Sequence, residues 1–268
     1  EARKLIEKYN IKRIPALIVL SKDIEKLGIN TQFFELGKDY AVFDRSVPYI
    51  NLISNEIKGI VDIKEIYDSS CKECFSISQV GDQLKKINVK IKDYEAIDSL
   101  SDKGKSFIKE NNLIFTPVLL LSESIEEYWW FFDGMKDFFV KKGKYYFYNN
   151  PIPPYKEIST GKIKGKVDVT YLVDKDCNDC LKVEQLRSTF LSLGIYMNKE
   201  KSLDIASEEG KSLLKKYNIT AVPTIILSKE ISDYKIKDML KNAGSFENDG
   251  KFIFRRLDLL NAKYQKIN

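Results

Sequence analysis

The strongest constraint on this chain is a repeat in which paired cysteines and prolines recur 106 positions apart. Cys71 and Cys74 stand in D-S-S-C-K-E-C, and Cys177 and Cys180 stand in D-K-D-C-N-D-C. Pro117, in F-T-P-V-L-L-L-S, lies on Pro223, in A-V-P-T-I-I-L-S. Val61–Cys74 aligns without a gap on Val167–Cys180, and Gly104–Asn112 aligns on Gly210–Asn218. Ala2–Pro15 matches Gly210–Pro223, so a third copy is entered part-way through. Sequence self-similarity at a fixed period marks one supersecondary unit used several times. The expected domains are residues 1–48 (the C-terminal half of a unit), 49–154 and 155–268. The missing half of the first copy is expected upstream of Glu1, together with any further units or targeting segment.

Composition narrows the class. With 43% apolar and 12% aromatic residues in 268, the chain can build real cores. The 44 basic and 39 acidic residues are interleaved, without the concentrated basic stripe that nucleic-acid binding needs. No apolar run approaches the roughly 18 residues of a membrane span. Histidine is absent, which excludes His-based triads, His general acids and Cys/His zinc sites from this chain. Cysteine usage leaves the compartment open, because a redox Cys-x-x-Cys occurs on both sides of a membrane.

Within one copy the pattern reads strand–helix–strand–helix–strand–helix–strand. Val167–Val173 is rich in β-formers, and Val183, Leu186, Phe190 and Leu193 make a helical stripe across Leu181–Leu193. A strand is expected near Ile195–Met197, and Ser207 is an N-cap candidate for a helix through Tyr217. Thr224–Leu227 reads as a buried strand, Asp233–Asn242 as a helix and Phe252–Phe254 as the last strand. The alternation implies an α/β fold with a mainly parallel or mixed central sheet flanked by helices on both faces.

A Cys-x-x-Cys between strand and helix brings two sulfurs within disulfide reach. Placed at the helix N-terminus, the first sulfur would be stabilised as a thiolate by unsatisfied N–H groups. Cys71 and Cys177 are then expected to be the exposed attacking thiolates, and Cys74 and Cys180 the resolving thiols inside. Ile14-Pro15, Thr116-Pro117 and Val222-Pro223 each stand where a loop enters an apolar strand. A cis bond is expected there, leaving the backbone of Thr116 and Val222 free to pair with an extended substrate. Cys177 is flanked by Asp174, Asp176 and Asp179, so its thiol is expected to ionise less readily than that of Cys71, beside Lys72.

These motifs resemble a tandem array of thioredoxin-fold units, similar to protein disulfide oxidoreductases that fuse two such units. The resemblance covers nearly the whole chain. It implies Cys71 and Cys177 as nucleophiles, Cys74 and Cys180 as resolving cysteines, and Pro117 and Pro223 as cis-prolines. It also implies protein thiols or disulfides as substrates, an unknown redox partner and no cofactor. The buried carboxyl of thioredoxins would fall at Glu65, but Tyr171 holds that place in the last copy, and Glu65 reads as a solvent-facing strand residue. S-C-K-E-C and D-C-N-D-C replace the W-C-G-P-C of thioredoxins, and a helix rather than a strand precedes the last strand.

Other readings stay open. The four cysteines could share one zinc, although the pairs lie a whole repeat apart, whereas zinc pairs usually lie about 12 to 20 residues apart. The dithiols could be permanent staples in a redox-silent repeat scaffold or binding protein. Glu126–Phe139 carries Tyr128, Trp129, Trp130, Phe131, Phe132, Met135, Phe138 and Phe139; it reads as a buried helix between units, with an exposed polypeptide-gripping surface as the alternative. Lys141-Lys142-Gly143-Lys144 reads as a solvated turn, and Gly161–Lys166 has the wrong spacing for a phosphate loop.

Overall fold

The computed structural model describes residues 1–29, 32–260 and 262–267. It is a mixed α/β structure of several sheets flanked by helices. Two compact units make it up. The first comprises Glu1–Tyr67, Ser76–Gly104 and Val118–Asn150; the second comprises Asp68–Phe75, Lys105–Pro117 and Pro151–Asn268.

The first unit holds a five-stranded sheet in the order Phe139–Lys142, Tyr145–Tyr148, Val118–Ser122, Ile60–Tyr67, Lys90–Asp98. Val118–Leu121 is buried at every position, as a central strand covered on both faces should be. Ile60–Tyr67 alternates instead, with Val61, Ile63 and Ile66 fully buried. The second unit holds a five-stranded sheet of matching order: Gly244–Phe246, Phe252–Phe254, Thr224–Leu227, Val167–Val173, Met197–Asp204. Leu172, Ile225, Leu227 and Phe252 are fully buried in it.

Of the mainly parallel or mixed sheet expected, the mixed form is found. In each five-stranded sheet only one pairing is parallel, Ile60–Tyr67 with Lys90–Asp98 and Val167–Val173 with Met197–Asp204. Those are the pairs joined by a helix, Ser78–Lys86 and Val183–Ser192, which a parallel connection requires. The other pairings are antiparallel, and in each sheet the pair farthest from the parallel one is a hairpin. Lys142 faces Tyr145 across Gly143-Lys144, with Gly143 at φ +57°, and so short a loop joins only antiparallel strands.

Ser207 caps the helix Glu208–Lys216, its hydroxyl accepting from the Gly210 N–H at 3.0 Å. Ser101 does the same for Gly104 at 3.0 Å. A Cβ on either glycine would clash with the carbonyl oxygen of Asp98 or Asp204, so the close approach of helix start and strand end requires glycine. The expected strand near Ile195–Met197 starts later and runs through Asp204. The expected helix over Asp233–Asn242 is shorter, Lys237–Lys241, and follows a 3-10 turn at Lys229–Asp233.

The aromatic segment does not form one regular helix. Glu123–Glu127 and Lys136–Phe138 are 3-10 turns around a π-turn at Phe131–Met135. Tyr128, Phe131 and Phe139 are buried, Phe131 packing on Phe139 and Tyr146 with ring centroids 5.5 and 5.0 Å away. Trp129 and Phe138 are exposed. Leu17–Leu20 pairs with Tyr40–Phe43 as the edge of a small sheet, leaving Leu17 and Leu20 exposed.

Candidate dithiol sites

Both cysteine pairs are closed as disulfides, Cys71–Cys74 with Cα atoms 5.4 Å apart and Cys177–Cys180 with Cα atoms 5.5 Å apart. They lie in turns rather than at helix N-termini, which corrects the sequence reading. The Cys71 N–H donates to Asp68 C=O at 3.0 Å and the Cys74 N–H to Cys71 C=O at 3.4 Å. Cys177 and Cys180 repeat this, donating to Asp174 and Cys177 at 3.3 and 3.4 Å. The helices begin only at Ser78 and Val183. The reason is long-range: the next amide is taken by a distant carbonyl instead of by a helical turn. Phe75 N–H donates to Pro154 C=O at 2.8 Å, and Leu181 N–H donates to Lys263 C=O at 2.9 Å.

The two disulfides differ in which cysteine is the more buried. Cys180 is buried and Cys177 half-buried, in the expected order. In the other pair Cys71 is buried and Cys74 half-buried, so the expectation of an exposed Cys71 is corrected. Asp68, whose C=O accepts the Cys71 N–H, is buried as well. Its side chain is 5% exposed and receives Lys156 Nζ at 2.7 Å, the Ser70 N–H at 2.9 Å and the Ser70 hydroxyl at 2.5 Å. Burial pushes the Asp68 carboxyl up, but these hydrogen bonds outweigh it and hold it below the usual carboxylate range. Asp174, 106 positions on, receives the Asp176 N–H at 3.0 Å, and the strap residue facing Val222 is Gln265, where Lys156 faces Thr116.

The Ile14-Pro15, Thr116-Pro117 and Val222-Pro223 bonds are cis, as are Val47-Pro48 and Pro153-Pro154, which the sequence reading did not single out. The backbone before the first three prolines, however, is already paired. Ile14 faces Ile50, Thr116 faces Lys156, and Val222 faces Gln265. Leu52 N–H donates to Lys12 C=O at 3.0 Å, Ile158 to Ile114 at 2.9 Å and Ile267 to Thr220 at 2.8 Å. Three short straps, Tyr49–Asn51, Tyr155–Glu157 and Gln265–Lys266, thus lie on the edge that was expected to be open. Ring contact between Phe115 and Tyr155, centroids 5.8 Å apart, secures the middle strap. Lys156 and the straps are the functional features that sequence reasoning missed. The signal was present in Pro48-Tyr49 and Pro154-Tyr155, 106 apart, which read only as joints between copies. Thr116 itself is buried, its Oγ1 without a hydrogen-bond partner.

Glu65 is buried, not solvent-facing, because it accepts a hydrogen bond from the Tyr94 hydroxyl. Tyr171 and Glu200, each 106 positions on, make the same contact with donor and acceptor strands exchanged, at 2.6 Å. Burial first, and then the carboxylate bond, push the phenols of Tyr94 and Tyr171 well above the ordinary tyrosine range. Arg187 adds a second contact to Glu200 at 3.0 Å, where the first sheet has Gly81 in its place. Glu65→Tyr alone removes the acceptor and is expected to cost about 1–3 kcal/mol in urea unfolding. Glu65→Tyr with Tyr94→Glu restores the pair in its other orientation and is expected to regain at least half of that loss. A double variant no more stable than the single would refute the exchange.

Among the described residues no group of three or more Cys, Asp or Glu is placed to hold a metal ion. No family model and no curated sequence matches the chain. Similar solved structures include full-length ERdj5, at 12% identity and TM-score 0.20, covering 81% of this chain and 28% of that one. ERdj5 form II has 14% identity and TM-score 0.20, covering 99% of this chain and 34% of that one. The chain thus spans about a third of the length of the structures it matches, and the likeness is weak.

Proposed function

We propose that this chain is a thiol–disulfide oxidoreductase of repeated thioredoxin-like units, with Cys177 and Cys180 as its more reactive pair. The observation that carries this reading is the confinement of each disulfide to a single turn. In the chain-entropy model a cross-link across so few residues contributes only about 2 kcal/mol, against almost 5 for a loop of about 100. Such a bond ties no strap or strand to another, so stabilisation is a poor use of four cysteines. Exchange chemistry, by contrast, needs two sulfurs in one turn, one reachable and one withdrawn.

Cys177 and Cys180 have that arrangement. In the reduced state the Cys177 thiolate attacks a substrate disulfide, one substrate sulfur leaves, and Cys180 then displaces the other from the mixed disulfide. The reverse sequence oxidises a substrate dithiol. The Cys71–Cys74 pair supports a second reading, a permanently oxidised closure, because Cys71 is buried beside the Asp68–Lys156 pair.

Trapping separates the roles. Treated with a small disulfide, the Cys180→Ser variant is expected to form one mixed disulfide at Cys177, read as a mass increase. Cys177→Ser should form its adduct at Cys180 at least about tenfold more slowly, because that sulfur is buried. Equal rates, or no adduct on either variant, would count against the assignment.

A further inference from the structure

We propose that the Cys177–Cys180 pair exchanges with small dithiols and disulfides and excludes extended polypeptide, because the chain's own C-terminal strap fills the place where a polypeptide would pair. This rests on the oxidoreductase reading and names its substrate class. The backbone on both sides of the disulfide is occupied by one segment. Lys263 C=O accepts from Leu181, the residue after Cys180, at 2.9 Å. Gln265 and Lys266 face Val222 and Ala221, just before Pro223, and Ile267 N–H donates to Thr220 C=O at 2.8 Å. Lys263 also pairs with Asp179, inside the cysteine turn, at 3.1 Å.

The same occupancy recurs at the other pair, where Pro154 C=O holds Phe75 and Lys156 faces Thr116. It recurs again at Ile14, before Pro15, which faces Ile50. Three occurrences make the strap a constant part of the design rather than an accident of one loop. A polypeptide substrate adding a strand here must first displace a tethered competitor, whose effective concentration is on the order of millimolar. A small dithiol needs only the half-buried Cys177 sulfur.

The exchange balances without another reagent. One thiolate of the small dithiol attacks Cys177 Sγ, the Sγ–Sγ bond breaks, and Cys180 leaves and takes up a proton. The second substrate thiolate attacks its partner sulfur in the mixed disulfide and releases Cys177. The substrate loses two electrons and becomes a disulfide; the protein disulfide gains them.

The test follows loss of the Cys177–Cys180 disulfide with dithiothreitol and with an extended peptide carrying two thiols. The wild-type chain is expected to react at least about tenfold more slowly, per thiolate, with the peptide, given the tethered competitor. Ile267→Pro removes the N–H given to Thr220, and deletion of residues 263–268 removes the strap. Either variant, folded by circular dichroism, is expected to speed the peptide reaction severalfold and to leave the dithiothreitol rate within about twofold. A wild-type chain that prefers the peptide, or strap variants with an unchanged preference, would overturn the inference while leaving redox activity intact. A disulfide that neither reagent opens would overturn the oxidoreductase reading itself.

Discussion

Lys156→Ala is expected to destabilise the protein by about 3–5 kcal/mol, the largest single-residue effect on stability foreseen for this chain. Lys156 Nζ lies 2.7 Å from a carboxylate whose side chain is 5% exposed, and it is the cation that compensates it. Removing it leaves Asp68 charged, withdrawn from water and held only by Ser70. The backbone pairing of residue 156 with Thr116 is kept by alanine, so the loss reports the side-chain ion pair. Urea unfolding reads the cost. Asp68→Leu combined with Lys156→Met should recover most of it, because two apolar side chains leave no buried charge. Gln265→Ala, at the corresponding strap position, should cost below about 1 kcal/mol, since no buried charge is exposed by it. The sign with pH follows from the depressed Asp68 carboxyl. The pair's contribution is complete above the unfolded carboxylate value near pH 4 and is lost as pH falls through the folded value. A Lys156→Ala chain as stable as wild type at neutral pH would refute the assignment.

Cys177→Ser is expected to lower oxidation of a small dithiol about a hundredfold, whereas Cys71→Ser with Cys74→Ser should keep it within about twofold. The asymmetry comes from what covers each turn. At the first pair the burial of Cys71 and the Asp68–Lys156 contact close one side of the turn. At the second pair Cys177 is half-buried, and the strap position paired before the proline is Gln265, not a lysine. The acidic neighbours Asp174, Asp176 and Asp179 oppose a thiolate there, so on the proposed reading access rather than thiolate stabilisation is what would make this pair the faster one. Initial rates measured with both variants decide it, and comparable losses from both would show that the pairs act alike.

Much of the framework was legible in the residues. Val167–Val173, Thr224–Leu227 and Phe252–Phe254 are strands with the expected bounds, because β-branched and aromatic runs flanked by turn residues carry a strong local signal. The Ser207 cap was legible for the same reason, the hydroxyl and the glycine it serves being three residues apart. The straps were not. A strand of two or three residues has no periodicity, and whether Tyr155–Glu157 pairs at all depends on Thr116, far away in sequence. The same non-local pairing explains the cysteine turns. Nothing near Phe75 reveals that its amide is claimed by Pro154, and without that bond a helix through the cysteines is a fair reading. Glu65 was misplaced because its acceptor role is visible only beside Tyr94, on the neighbouring parallel strand. The aromatic run misled through composition: its apolar content suggested a wholly buried helix, while the tight turns bury Phe131 and turn Trp129 outward.

Redox equilibration of the folded protein in glutathione buffers, with thiol alkylation and mass measurement at each potential, tests the redox reading most directly. The Cys177–Cys180 disulfide is expected to open and close reversibly between about −120 and −270 mV, with the circular dichroism unchanged. A disulfide that stays closed beyond about −300 mV, or opens only as the protein unfolds, would contradict it.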